Sequence, residues 1–103
     1  DGKKIVFGSD SNSLVIWDVE SRHKELVLDG HEEAITSIAV APDGKRIVTA
    51  SLDNSVRVWD VEEKREDFIL NGHSNWVLAA AITTDGGRAI SGSADKTIKV
   101  WSL

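Results

Sequence analysis

Two histidines of this chain recur with a hydroxyl and a carboxylate at matched spacings: His31 with Thr49 and Asp53, and His73 with Ser91 and Asp95. A hydroxyl, an imidazole and a carboxylate are the ingredients of acyl transfer, in which the histidine takes the hydroxyl proton and the carboxylate orients the ring. That chemistry also needs a solvent-accessible nucleophile and an oxyanion site, and the sequence suggests neither. Metal binding is no better supported. His31 and His73 occupy equivalent places 42 residues apart, and neither a cysteine nor a third histidine joins them. His23 stands opposite Arg65 one period later and reads as an exposed loop or strand residue. Gly86-Gly87 belongs to a turn and lacks the Lys-Ser or Lys-Thr that completes a phosphate loop. No catalytic residue, metal ligand or cofactor-binding residue is assigned, and no cofactor is expected.

The elements that must position these groups follow from a repeat. Trp17, Trp59 and Trp101 are spaced by 42 residues, as are Gly30-His31 and Gly72-His73. Asp1-Gly2, Asp43-Gly44 and Asp85-Gly86 keep the same step, and so do Asp53 and Asp95. Fixed-period self-similarity of this length marks a repeat architecture. Within one period the pattern is all β. Ala34 to Val40 is a short apolar run (strand a) closed by the turn residues Pro42-Asp43-Gly44. Arg46 to Ser51 follows (strand b), and then a tight turn around Asp53-Asn54. Ser55 to Trp59 alternates polar and apolar residues (strand c), and Asp67 to Leu70 is the fourth strand, d. Four such strands make an antiparallel meander the size of one propeller blade.

At this point the chain resembles the WD-repeat family. Gly30-His31, Asp53 and Trp59-Asp60 match its glycine–histidine and tryptophan–aspartate signature; Gly72-His73, Asp95 and Trp101 repeat it, with Ser102 in place of the last aspartate. The stretches HSNWV (73–77) and SGSADKTIKVW (91–101) are similar to bacterial WD repeats of multidomain signalling proteins. The resemblance implies a non-catalytic interaction scaffold or sensor module. It also implies that His31, Thr49, Asp53 and Trp59 form one structural hydrogen-bonded tetrad, and His73, Ser91, Asp95 and Trp101 a second. Each buried polar group would then have a partner, avoiding a cost of about 1–3 kcal/mol per unsatisfied group.

On this reading residues 1–29 form a partial blade (strands b–d), 30–71 a complete blade, and 72–103 a blade without its outer strand. Ten strands are too few for a ring, since propellers close with roughly 4 to 8 blades. The expected contexts are the remaining blades of a longer propeller, cut to its C-terminal part, or a homo-oligomer such as three copies in one ring. The alternative function is accordingly self-assembly with no ligand. The first blade departs from the pattern: Phe7 stands at the place of Thr49, and Ser11 at that of Asp53 with Asp10 beside it. It is expected to rely on apolar contacts of Phe7, Ile16 and Trp17, and to show the weakest hydrogen-exchange protection of the three.

Composition limits the partners. The net charge of −5 argues against nucleic-acid phosphates, and no apolar run reaches a bilayer-spanning length. Nor does a charged-then-apolar leader open the chain. The absence of cysteine suits a reducing interior, so a cytoplasmic, intracellular location is expected. A protein or peptide partner is expected on the face carrying the d–a and b–c loops. By resemblance its exposed residues are Ala34, Thr36 and Leu52 in the middle blade, and Trp76, Leu78 and Ala94 in the next. Trp76 is the only tryptophan off the 42-residue lattice, with Ala34 at its equivalent position, so the fold does not require it.

Overall fold

Short runs of alternating residues, each ended by a turn that only certain backbones can make, produce ten strands and no helix among the described residues. In the computed structural model, which describes residues 4–9 and 11–103, these are β1 (Lys4–Gly8), β2 (Leu14–Asp18), β3 (His23–Leu28), β4 (Ile35–Val40), β5 (Arg46–Ser51), β6 (Val56–Asp60), β7 (Arg65–Leu70), β8 (Val77–Ile82), β9 (Arg88–Ser93) and β10 (Ile98–Ser102). The Asp1-Gly2 turn and Asp10, used above to align the first period, lie outside the described residues. The strands form three separate antiparallel sheets, ordered β1-β2-β3, β4-β5-β6-β7 and β10-β9-β8. These are open WD-type blades: one partial, one complete and one without its outer strand.

The backbone repeats as faithfully as the side chains. Left-handed φ angles recur at Asn12, Asn54 and Lys96 in the b–c turns, at Arg22 and Lys64 in the c–d turns, and at Gly44 and Gly86 in the a–b turns. Bulges recur too, between Ile35 and Ser37 and again between Val77 and Ala79. A second pair falls at Ile16/Trp17 and Val58/Trp59, where the register slips by one residue beside the tryptophan.

The sheets stack face to face, and the core lies at the two junctions. Leu14, Ile16 and Leu28 of the first sheet meet Ile47 and Trp59 of the middle one. Val48, Ala50, Val56 and Val58 on the other face of the middle sheet meet Val77 and Ala89 of the third, with Trp101 and Leu103 against them. Side-chain hydrogen bonds pin the second junction: the Thr36 hydroxyl donates to the Val77 carbonyl (2.5 Å), and the Ala80 N–H to the Ser37 hydroxyl (3.1 Å). The first junction is looser. A cavity of about 340 Å³ opens there among Val6, Ile16, Ile38, Ile47 and Val61, residues whose counterparts one period later are in contact.

One expectation for the first sheet needs correcting. Ile16 is buried, but Trp17 is only half-buried and Phe7 is 41% exposed. Phe7 shares its place with Thr49, on the face each sheet turns toward its predecessor, and none of the three described sheets packs against that face of the first. A different device occupies the blade's turn. Ser9, Ser11 and Ser13 form a chain of hydroxyls (2.8 and 3.3 Å) that ends with Ser13 donating to Asp29. No helix among the described residues is long and apolar enough to cross a membrane.

Candidate functional site

The two polar sets are built by the same elements. Each histidine precedes strand a, each hydroxyl lies in strand b, each aspartate in the b–c turn and each tryptophan in strand c. His31 Nδ1 lies 2.8 Å from Asp53 Oδ2, and Nε2 lies 2.5 Å from Thr49 Oγ1. The Trp59 indole N–H donates to the same hydroxyl at 2.8 Å. In the third sheet the corresponding distances are 2.9 Å (His73–Asp95), 2.8 Å (His73–Ser91) and 2.8 Å (Trp101–Ser91). Each tryptophan also meets its histidine edge to face, at centroid separations of 6.0 and 6.2 Å.

The glycine before each histidine has a steric role. A Cβ on Gly30 would lie 2.9 Å from Trp59 Cη2 and 3.0 Å from Arg57 Nη1, and one on Gly72 would lie 3.2 Å from Trp101 Cη2. The chain can pass over the indole edge only where it has no side chain.

The aspartates are held ionised. Burial of Asp53 opposes ionisation, but hydrogen bonds from Ser55, His31 and the N–H groups of Glu32 and Ser55 together lower its pKa to about 2. Asp95 is lowered as well, first by the Thr97 hydroxyl and then by His73 and the N–H groups of Ser74 and Thr97. His31 is pushed below its ordinary value because burial outweighs the attraction of Asp53. A neutral imidazole then donates from Nδ1 to the carboxylate and accepts the threonine proton at Nε2, and the threonine oxygen in turn accepts the indole proton. Proton positions along this relay follow from the partners, with one donor and one acceptor at each step.

These contacts decide what the groups can do chemically. Thr49 and Ser91 are buried, and each hydroxyl lies between an imidazole and an indole. An acyl-transfer nucleophile must meet a carbonyl carbon, and these oxygens have no open side from which to do so.

Residues outside the signature complete each set. Ser55 and Thr97 donate to Asp53 and Asp95, both at 2.5 Å, and stand within 3.3 Å of the histidine Nδ1 atoms. Sequence reasoning missed them, although Ser13, Ser55 and Thr97 keep the 42-residue step with a hydroxyl at every turn. It also missed Arg57, which bonds Glu66 at 2.7 Å and lies 3.7 Å from Asp53, roofing the middle set. That pair crosses from strand c to strand d and has no counterpart where the fourth strand is absent.

The six residues of the expected partner face lie at the ends of β4, β5, β8 and β9. The Leu52 N–H donates to the Ala34 carbonyl (3.0 Å), and the Ala94 N–H to the Trp76 carbonyl (2.8 Å), so each sheet contributes one cross-strand pair. Ala34, Trp76, Leu78 and Ala94 are exposed, and Leu52 is half-buried. Thr36 is exposed but its hydroxyl is engaged by Val77 and Ala50. Trp76 is 53% exposed, while its backbone is tied down by Asn75, Ser93 and Ala94.

The model of the family described as WD domain, G-beta repeat matches residues 22–60 and 65–102. No curated protein matches the chain. Repeats of this family typically bind protein partners or act as scaffolds and are typically non-catalytic. With two matched repeats spanning most of its length, and the same hydrogen-bonded groups at the same register in both, this chain belongs to the WD-repeat family.

Proposed function

We propose that the chain is a non-catalytic protein-interaction module that holds a protein or peptide segment across the face bearing residues 29–34, 51–55, 71–76 and 93–97. The two polar tetrads are its framework and not its site. The observation that supports this reading is Trp76. A large aromatic stands 53% exposed where the preceding repeat has Ala34, so neither the fold nor the core accounts for it. Its backbone is fixed by three neighbours, which lowers the entropy cost of presenting the ring to a partner. Leu52, Leu78 and the small residues Ala34 and Ala94 would leave room for a side chain to lie beside the indole, an arrangement common at binding hot spots.

The test uses peptides selected from a displayed random library against the 103-residue chain. Trp76→Ala should weaken their binding by about 10- to 30-fold, the size of a single hot-spot truncation. Its melting temperature should stay close to the parent's, as for other exposed substitutions. Unchanged affinity together with a large loss of stability would assign Trp76 to the fold and defeat the proposal.

A further inference from the structure

Asn71 and Gly72 lead from strand d of the complete blade to the histidine of the next, and they are the one asparagine–glycine pair in the sequence. Both are exposed, on the connection from β7 to β8, and Asp29 at the equivalent place between β3 and β4 is exposed as well. The Asn71 side chain and the Gly72 N–H meet no hydrogen-bond partner among the described residues. The other three asparagines, Asn12, Asn54 and Asn75, differ at this point. The N–H that follows each of them is held: Ser13 donates to Ser9 Oγ (3.3 Å), Ser55 to Asp53 Oδ1 (2.9 Å), and Trp76 to the Oδ1 of Asn75 itself (2.8 Å). Those following residues also carry a side chain beside the nitrogen, whereas Gly72 leaves its nitrogen open to close approach.

We propose that Asn71 is a modification site at which the folded chain deamidates itself, with water as the only co-reactant. The Gly72 nitrogen loses its proton and attacks Asn71 Cγ; the Cγ–Nδ2 bond breaks, and ammonia leaves with a proton. Water then opens the resulting succinimide. Attack at Cγ restores the ordinary main chain with an aspartate at position 71. Attack at the main-chain carbonyl carbon leaves isoaspartate, whose peptide link runs through Cγ. No electrons are gained or lost in either branch. The two products have different fates. Aspartate is what the preceding repeat already carries: Asp29 stands before Gly30 and His31, and the hydrogen bonds of that histidine are intact. Isoaspartate instead inserts a methylene into the main chain just ahead of Gly72, where a Cβ would already lie 3.2 Å from Trp101 Cη2 and 3.5 Å from Lys99 Cε. His73 comes next, and its contacts with Asp95 (2.9 Å) and Ser91 (2.8 Å) are lost if its backbone is displaced. The site shares a face with Trp76 but needs no partner there, so either proposal can fail without the other.

The test ages the 103-residue chain, folded, in mildly alkaline buffer and maps its peptides by mass spectrometry that separates asparagine, aspartate and isoaspartate. Asn71 should convert before the other three asparagines, and faster as pH rises, because base removes the Gly72 proton. Isoaspartate should be among its products. Asn71→Gln, which cannot close the same five-membered ring, should show no conversion at that position. Freshly prepared Asn71→Asp should melt at the parent's temperature. The aged parent should gain a lower-melting fraction that fresh Asn71→Asp and aged Asn71→Gln both lack. An Asn71 that stays intact in the folded chain, or that converts no faster than Asn12, Asn54 or Asn75, would overturn the proposal. So would conversion seen only after unfolding in urea. Isoaspartate at 71 with no lower-melting fraction, or the same fraction in aged Asn71→Gln, would overturn the link to His73.

Discussion

Replacing Trp59 with alanine should destabilise the chain by about 3–5 kcal/mol, the range for truncating a fully enclosed aromatic. The same change at Trp17 should cost only about 1–2 kcal/mol, in proportion to the smaller area it buries. The three lattice tryptophans are chemically identical and sit at one register, so their environments alone set the ranking. Trp59 is 1% exposed, packs on Leu14, Ile16 and Leu28, and donates its indole proton to the enclosed Thr49 hydroxyl. Its removal opens a cavity between two sheets and leaves that hydroxyl with one partner fewer. Trp101 keeps the hydrogen bond to Ser91 and rests on the middle sheet, but its strand is an edge and the ring is only half-buried. Trp17 has Phe7 where a hydroxyl would stand, and no described sheet covers it. Denaturant titrations followed by circular dichroism should therefore rank the losses Trp59, then Trp101, then Trp17. Equal losses at all three would mean that the junctions described here do not carry the stability.

Much of this architecture was legible in the residues because repetition turns each contact into a pattern. A histidine with a hydroxyl 18 positions on and an aspartate 22 positions on leaves its trace in both later periods, as the His31 and His73 hydrogen bonds show. Strand limits were legible to within a residue or two for the same reason: β5 falls on Arg46–Ser51, and β7 begins two residues before the expected Asp67. Contacts that occur once leave no such trace. The Arg57–Glu66 pair occurs once because Val15 and Lys24 stand at its positions in the first sheet and the third lacks the fourth strand, and the Ser9–Ser11–Ser13 chain occurs only where the tetrad is missing. Phe7 was misread because an aromatic in a strand ordinarily packs inward, whereas burial here depends on which neighbouring sheet is present. A strand's alternation identifies its two faces; it does not say that both are covered.

Removing the Asp53 carboxylate should cost about 2–4 kcal/mol and should also change how the chain responds to acid. Asp53 accepts from His31 (2.8 Å), from the Glu32 N–H (3.1 Å) and from the Ser55 N–H (2.9 Å) and hydroxyl (2.5 Å), so Asp53→Ala orphans several donors at once. Asp53→Asn keeps one acceptor oxygen and should lose less. With a folded pKa of about 2 against an ordinary 3.8, Asp53 contributes stability that is full above pH 3.8 and is lost as pH falls toward 2. Discounted for screening, this amounts to about 1–2 kcal/mol. His31 acts in the same direction through a separate window. Its folded pKa lies below 6.5, so the unfolded chain takes the proton first and stability begins to fall as pH drops through 6.5. The parent chain should thus weaken in two stages on acidification. Asp53→Ala should lose much of the lower stage but keep the upper one, because without the carboxylate nothing at that position supports a charged His31. Urea midpoints measured from neutral pH down to the acid limit would show this directly. A parent profile that stays flat, or a variant profile parallel to it throughout, would exclude this tetrad as a source of the chain's stability at neutral pH.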